Sequence, residues 1–314
     1  MSTKPRVLFF GTPDFAVPIL HATARIADIV AVVTQPDQPK GRGHRMAHSA
    51  IFTAAESLHI PVMTPEKLDG STIDALKAFS PDVAVLAAYG LILPKALLDV
   101  PGKGFVNVHP SLLPKHRGAS PIAGAILDNE TVTGVTIIVL DEEMDHGPII
   151  AQESIAIEPH EHRPSLERRC AELGAKLLEH SLLPYLDGST VPRAQEHHKA
   201  SYTRRLSREN ATINWTDDTA RIERDIRAYD PWPGTVTTWE GATLKILDGR
   251  AERYRASPRG KVGEVIMHDN KPAVVCGVDM LVLITVQPAN GKPMDAAAFA
   301  RGHHNFIGTV LTSE

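Results

Sequence analysis

The first half of the chain alternates short apolar runs with stretches of helical periodicity, and this alternation limits the fold more than any other feature. An apolar run at residues 7–10 is closed by Gly11-Thr12-Pro13. A helical pattern from Phe15 to about Ile26 follows, then a second run at 29–34. A helix-like stretch at 49–59, a short run at 61–63, a helix-like stretch at 71–79 and apolar runs at 83–88 and 105–108 continue the series. Strand–helix–strand repeats require crossovers, and crossovers cover both faces of a parallel sheet with helices. The predicted fold class is α/β, a Rossmann-like and mostly parallel sheet with helices on both faces. Strand runs at 134–140 and 148–157 flank the turn Asp145-His146-Gly147, and 165–183 reads as an amphipathic helix broken only by Gly174.

The texture then changes. Residues 187–192 have linker composition. A single helix is predicted over 213–229, with Thr219, Ile222 and Ile226 at helical spacing. From Trp239 onward, short alternating runs at 243–246, 263–267, 273–276 and 280–286 predict a small, OB-like β-barrel. The expected domains are 1–188, a linker at 189–207, and 208–314. A chain of 314 residues suits two domains. No apolar run nears the ~20 residues that span a bilayer, and the opening apolar stretch is too short for a signal-peptide core. Cys170 and Cys276 are far apart and expected to be reduced core thiols of a cytoplasmic protein. Residues 1–188 carry 16 Lys and Arg against 22 Asp and Glu (−6), whereas residues 189–314 carry 17 against 15 (+2). So slight a positive balance permits a polyanionic partner for the second domain without requiring one.

Neither a G-x-G-x-x-G fingerprint nor a P-loop is present, so a nucleotide-cofactor enzyme is disfavoured. The chemistry concentrates instead at Asn107-Val-His109 and Asp145. Two residues apart on a strand, Asn107 and His109 point to one face, and Pro110 holds His109 extended. An amide donates to a developing oxyanion, an imidazole moves a proton, and a carboxylate orients that imidazole. The set suits acyl transfer to an amine with no covalent intermediate. Residues 35–46 form a Pro- and Gly-rich loop made basic by Lys40, Arg42 and Arg45, expected to lack regular structure and to touch a phosphate backbone. Arg117-Gly118 reads as the turn that opens the next helix, with Pro121 early in it. The histidine pairs 160/162, 197/198 and 303/304 have poor ligand spacing, so no metal is expected.

The run NVHPSLLPKHRGASPI resembles the folate-dependent formyltransferase family. The resemblance extends over Gly-Thr-Pro-Asp-Phe at 11–15, the basic loop at 35–43, Ala-Ala-Tyr-Gly-Leu-Ile-Leu-Pro at 87–94, Thr-Gly-Val-Thr at 133–136, Met-Asp-x-Gly at 144–147 and Ala-Tyr-Asp-Pro-Trp-Pro at 228–233. It implies transfer of formyl from 10-formyltetrahydrofolate to the methionine α-amino group on initiator methionyl-tRNA. Asn107, His109 and Asp145 would form the catalytic set, and Ser111, Leu112, Leu113 and Pro114, with Gly90, Leu91, Ile92, Leu93 and Asp141, the folate site. Lys40, Arg42 and Arg45 would meet the tRNA. A monomer is expected. A sugar-nucleotide N-formyltransferase, a 10-formyltetrahydrofolate hydrolase and a non-catalytic RNA-binding scaffold are the alternatives. The chain departs from the family at Lys115-His116, commonly Arg and an aromatic, and at His146, usually a small residue.

Overall fold

The computed structural model describes residues 4–40, 45–253 and 260–313. It divides into two compact units. The first comprises Met1–Pro121, Thr131–Ile157 and Glu167–Arg204, and the second Ile122–Glu130, Glu158–Leu166 and Arg205–Glu314. Among the described residues no helix is long and apolar enough to cross a membrane.

The first unit is built on a seven-stranded sheet of β1 (Arg6–Gly11), β2 (Asp28–Val33), β3 (Val62–Met63), β4 (Val83–Ala87), β5 (Phe105–His109), β6 (Val132–Val139) and β7 (Ile149–Ala156), in the order β7-β6-β5-β4-β1-β2-β3. Strands β1 to β5 pair in parallel. β6 pairs antiparallel with β5 and β7 antiparallel with β6, the latter across residues 140–148, a link shorter than a parallel crossover needs. The strand order reverses at β1, which carries β2 on one side and β4 on the other. Its helices are α1 (Ala16–Ile26), α2 (Ala50–Ser57), α3 (Gly70–Lys77), α4 (Lys95–Leu98) and most of α6 (Arg163–Leu186), whereas α5 (Pro121–Leu127) falls almost wholly in the second unit. Ser49 caps α2 by accepting from Phe52 N–H (3.0 Å), and Asp69 caps α3 by accepting from Thr72 N–H (3.2 Å).

Alternation along the strands sends side chains to both faces. Leu8, Phe10 and Phe105 pack with Ile73 and Leu76 of α3 and Leu97 of α4. On the opposite face Gly174 brings α6 against β5, where an added Cβ would lie 2.7 Å from Val108 Cγ1. The glycine that interrupts the helical pattern is what lets α6 lie this close.

The second unit holds an antiparallel sheet of β8 (Val236–Trp239), β9 (Ala242–Glu252), β10 (Val265–His268), β11 (Lys271–Val275) and β12 (Met280–Pro288), ordered β8-β9-β12-β11-β10, with β13 (Met294–Asp295) on β12. The C-terminal tail joins its two edges, bridging Thr238 through Thr312 and Glu264 through Val310. The sheet curls as a half-barrel around Trp215, Ile226, Val274, Leu281, Phe299 and Phe306. The single helix predicted over 213–229 is shorter. α7 spans Thr219–Tyr229, capped by Asp218 on Ala220 N–H (2.7 Å). Asn214 closes a side-chain turn on Thr216 N–H (3.2 Å), and Ile213 N–H bonds Val236 O, so this stretch runs beside β8 rather than continuing the helix. α8 spans Ala296–Gly302.

Candidate active site

Phe105, Asn107 and His109 leave β5 on one face. Phe105 enters the α3–α4 core, while Asn107 and His109 emerge at the carboxyl end, buried at 6% and 4% exposure. Ladder pairing sets Asn107 beside Leu86 of β4 and His109 beside Thr136 of β6. Thr136 then fixes the turn after His109. Its hydroxyl donates to Ser111 O (2.6 Å) and accepts from Leu113 N–H (3.1 Å) and Gln152 Nε2 (2.8 Å), while Gln152 also donates to Leu113 O (2.9 Å). Ser111 Oγ donates to Lys115 O (2.6 Å), and Leu113 packs on Ile138 and Ile149. The buried side chains of Ser111 and Leu113 are thus taken up by the fold, whereas Leu112 and Pro114 are partly exposed.

Asn107, His109 and Asp145 converge. His109 Nε2 lies 3.0 Å from the backbone oxygen of His116. A carbonyl only accepts, so Nε2 carries the proton in this contact and Nδ1 is left as the nitrogen with a lone pair. Nδ1 stands 3.5 Å from Asp145 Oδ1, and Asn107 Nδ2 stands 3.4 Å from the same oxygen. Both separations exceed a good hydrogen bond, which suits a site that tightens around a third atom. Asp145 has φ +49°, and its Oδ2 accepts from Gly118 N–H (2.8 Å). The residue at 116 serves through its carbonyl, a group every residue carries, so the departure at that position leaves this contact intact.

The other expected contacts fall into three places. Beyond β4, Thr12 Oγ1 (3.1 Å) and Gln35 Nε2 (2.8 Å) both donate to Tyr89 O, and Gly90 takes φ +87°. Leu91 and Ile92 are 44% and 84% exposed, and Leu93 is partly buried. Burial pushes the Tyr89 phenol up to about 12. Asp141 Oδ2 pairs with His146 Nδ1 at 2.6 Å, and the His146 ring stacks on His197 with centroids 4.0 Å apart. In the basic loop, backbone ladder bonds join Gln38–Lys40 to Arg45–Ala47, against the expectation of no regular structure. In a two-stranded ladder each strand is an edge, where Pro39 is tolerated. Arg42 lies outside the described residues, as do the side chains of Lys40 and Arg45.

Several residues of the site were not anticipated. Arg117 and Gly118 form a short strand with Tyr202 and Thr203 instead of a helix-opening turn. Arg117 is 2% exposed and donates to Gln195, a residue within the expected linker 189–207. The first part of that linker therefore folds into the first unit. Among the described residues no group of three His, Cys, Asp or Glu is placed to hold a metal.

Comparison with known proteins identifies the architecture. The model of the family described as "Formyl transferase" matches residues 5–184, and that of "Formyl transferase, C-terminal domain" matches 205–304. Methionyl-tRNA formyltransferase of Roseiflexus sp. (strain RS-1) is 45% identical over 95% of this chain and 92% of its own. That of Myxococcus xanthus is 40% identical over 96% of each chain. An N-formyltransferase from Helicobacter canadensis, solved with folinic acid and dTDP-3-aminofucose, shares the fold at a TM-score of 0.67 and 18% identity, over 90% of this chain and 99% of that one.

Proposed function

This chain belongs to the formyl transferase family, and from that premise we propose that it transfers a formyl group from 10-formyltetrahydrofolate to the α-amino group of methionine on initiator tRNA. The acceptor follows from identity of 45% over 95% of the chain to a methionyl-tRNA formyltransferase, a likeness that takes in both units. The carboxyl ends of β4 and β5 offer what such a donor needs. Leu91 and Ile92, in the loop after β4, and Met144, next to Asp145 in the chain, are apolar side chains turned to solvent, fit for the faces of a pterin.

The mechanism rests on one observation, that Asp145 Oδ1 faces both Asn107 Nδ2 and His109 Nδ1. An amine attacking a formyl carbon makes the carbonyl oxygen negative, and Asn107 donates an N–H to it. The attacking nitrogen must lose a proton and the departing nitrogen must gain one. His109 Nδ1 exchanges that proton while Nε2 stays anchored on the His116 carbonyl. Asp145, held by Gly118 N–H, stabilises the imidazolium as it forms. Lys40, Arg42 and Arg45 supply positive charge for the tRNA backbone, positioning without reading sequence. Incubation with 10-formyltetrahydrofolate and methionyl-tRNA should yield N-formylmethionyl-tRNA. Folate turnover without tRNA would favour the hydrolase, and formylation of an amino-sugar nucleotide alone would favour the sugar enzyme.

A further inference from the structure

Gln195 is 5% exposed and its amide is fully committed. Nε2 donates to the carbonyl oxygens of Asp145 (2.8 Å) and Gly147 (2.7 Å), and Oε1 accepts from Nε and Nη2 of Arg117 (3.3 and 2.7 Å). A primary amide has two N–H donors and two acceptor lone pairs, so every site is used. The amide has only one workable orientation. Flipped, it would set its oxygen against two carbonyls and its NH2 against a guanidinium.

Arg117 in turn donates from Nη1 to the Tyr202 hydroxyl (3.2 Å) and from Nη2 to His197 Nδ1 (2.9 Å). The acceptors in these bonds are all uncharged, an unusual setting for a buried guanidinium, which ordinarily meets a carboxylate. A glutamate at 195 would supply that carboxylate but no N–H for the two turn carbonyls. The residue present is therefore the one that serves the turn. That turn needs holding, because Asp145 sits at φ +49°, a conformation unfavourable to L-residues.

We propose that Gln195, oriented by Arg117, is a positioning residue for formyl transfer. It clamps the 145–147 turn so that Asp145 Oδ1 faces Asn107 and His109 together. The proposal rests on the reading of those three as the reacting set. Displacing a reacting group by about 1 Å costs up to about 100-fold in rate, so a loosened turn should appear in kcat rather than in binding.

The test compares wild type, Gln195→Glu, Gln195→Met and Asp145→Asn for kcat, both KM values, the pH dependence of kcat and thermal unfolding. Gln195→Glu preserves the Arg117 contact but turns an oxygen toward the Asp145 and Gly147 carbonyls, so its kcat is measured below its own unfolding transition. It should lose about 10–100-fold in kcat, with KM values little changed and an altered pH profile. Gln195→Met, which lacks both donors and the acceptor, should lose at least as much and covers the case in which the glutamate variant fails to fold. Near-wild-type kcat in either variant, or a loss proportional to the unfolded fraction with the pH profile unmoved, overturns the clamp. With Asp145→Asn inactive, such a result refutes Gln195 alone. Full activity in Asp145→Asn refutes the reacting set, and the clamp falls with it.

Discussion

His162 offers a quantitative test of the energetics of the second unit. Its Nδ1 lies 3.0 Å from Asp230 Oδ2 and its Nε2 3.5 Å from Asp248 Oδ1. The hydrogen bond to Asp230 and then that to Asp248 outweigh desolvation and push the imidazole up to about 9 from 6.5. A raised folded value means the folded state holds the proton more tightly than the unfolded chain. The stabilisation is therefore complete below about 6.5 and is lost as pH rises through about 9. That gap, at about 1.4 kcal/mol per pH unit, sets a ceiling of about 3 kcal/mol. The carboxylates are 35% and 25% exposed, so screening reduces it to about 2 kcal/mol. The three tryptophans, Trp215, Trp232 and Trp239, all lie in the second unit. Urea unfolding followed by tryptophan fluorescence therefore reports this unit directly. Wild type should exceed His162→Gln by about 2 kcal/mol at pH 6, with the gap closing toward pH 10. Because other titrations affect both proteins alike, they cancel in the difference. A gap that stays constant over this range would refute the ionic account of His162.

Five further outcomes can be checked alongside it. Asn107→Ala should lower kcat about 100- to 1,000-fold as an oxyanion donor, and His109→Ala about 100- to 10,000-fold as a proton carrier, with circular dichroism confirming the fold; full activity in either would sink the mechanism. Gly174→Ala places a Cβ 2.7 Å from Val108 Cγ1, and overpacking should cost about 1–3 kcal/mol, set against a helix-propensity gain of about 1 kcal/mol; denaturation and kcat should fall together because Val108 lies between Asn107 and His109. Arg42→Ala should raise KM for methionyl-tRNA and leave the formyl-donor KM unchanged, as steady-state kinetics at two salt concentrations would show. Cys170 and Cys276 are buried, and burial pushes the Cys276 thiol up to about 11, so a thiol reagent should label both only after unfolding.

What the sequence made legible, and what it did not, separates along the distance over which each residue acts. Strands β1, β4 and β5 show as apolar runs because a parallel sheet buried on both faces accepts little else. Asn107 and His109 show because two residues on one strand share a face without any help from the rest of the chain. The helix predicted over 213–229 failed for a related reason. Ile213 and Trp215 are buried as firmly as Ile222 and Ile226, so apolar spacing alone could not separate a strand-like approach from a helix. The turn chemistry of Asn214 and the cap at Asp218 carried that distinction. Gln195 had no such local mark. It lies 78 residues from Arg117 and 50 from Asp145, within the segment expected to link the two domains. Its chemistry exists only once both partners are in place, since an amide becomes specific when a guanidinium fixes one end and two carbonyls the other. The same holds for Thr136, an unremarkable strand threonine until its hydroxyl is found holding the turn after His109. Groups that meet the reaction are selected for intrinsic chemistry and can be read one at a time. Groups that hold them are selected for a pairing, and a pairing is a property of the fold.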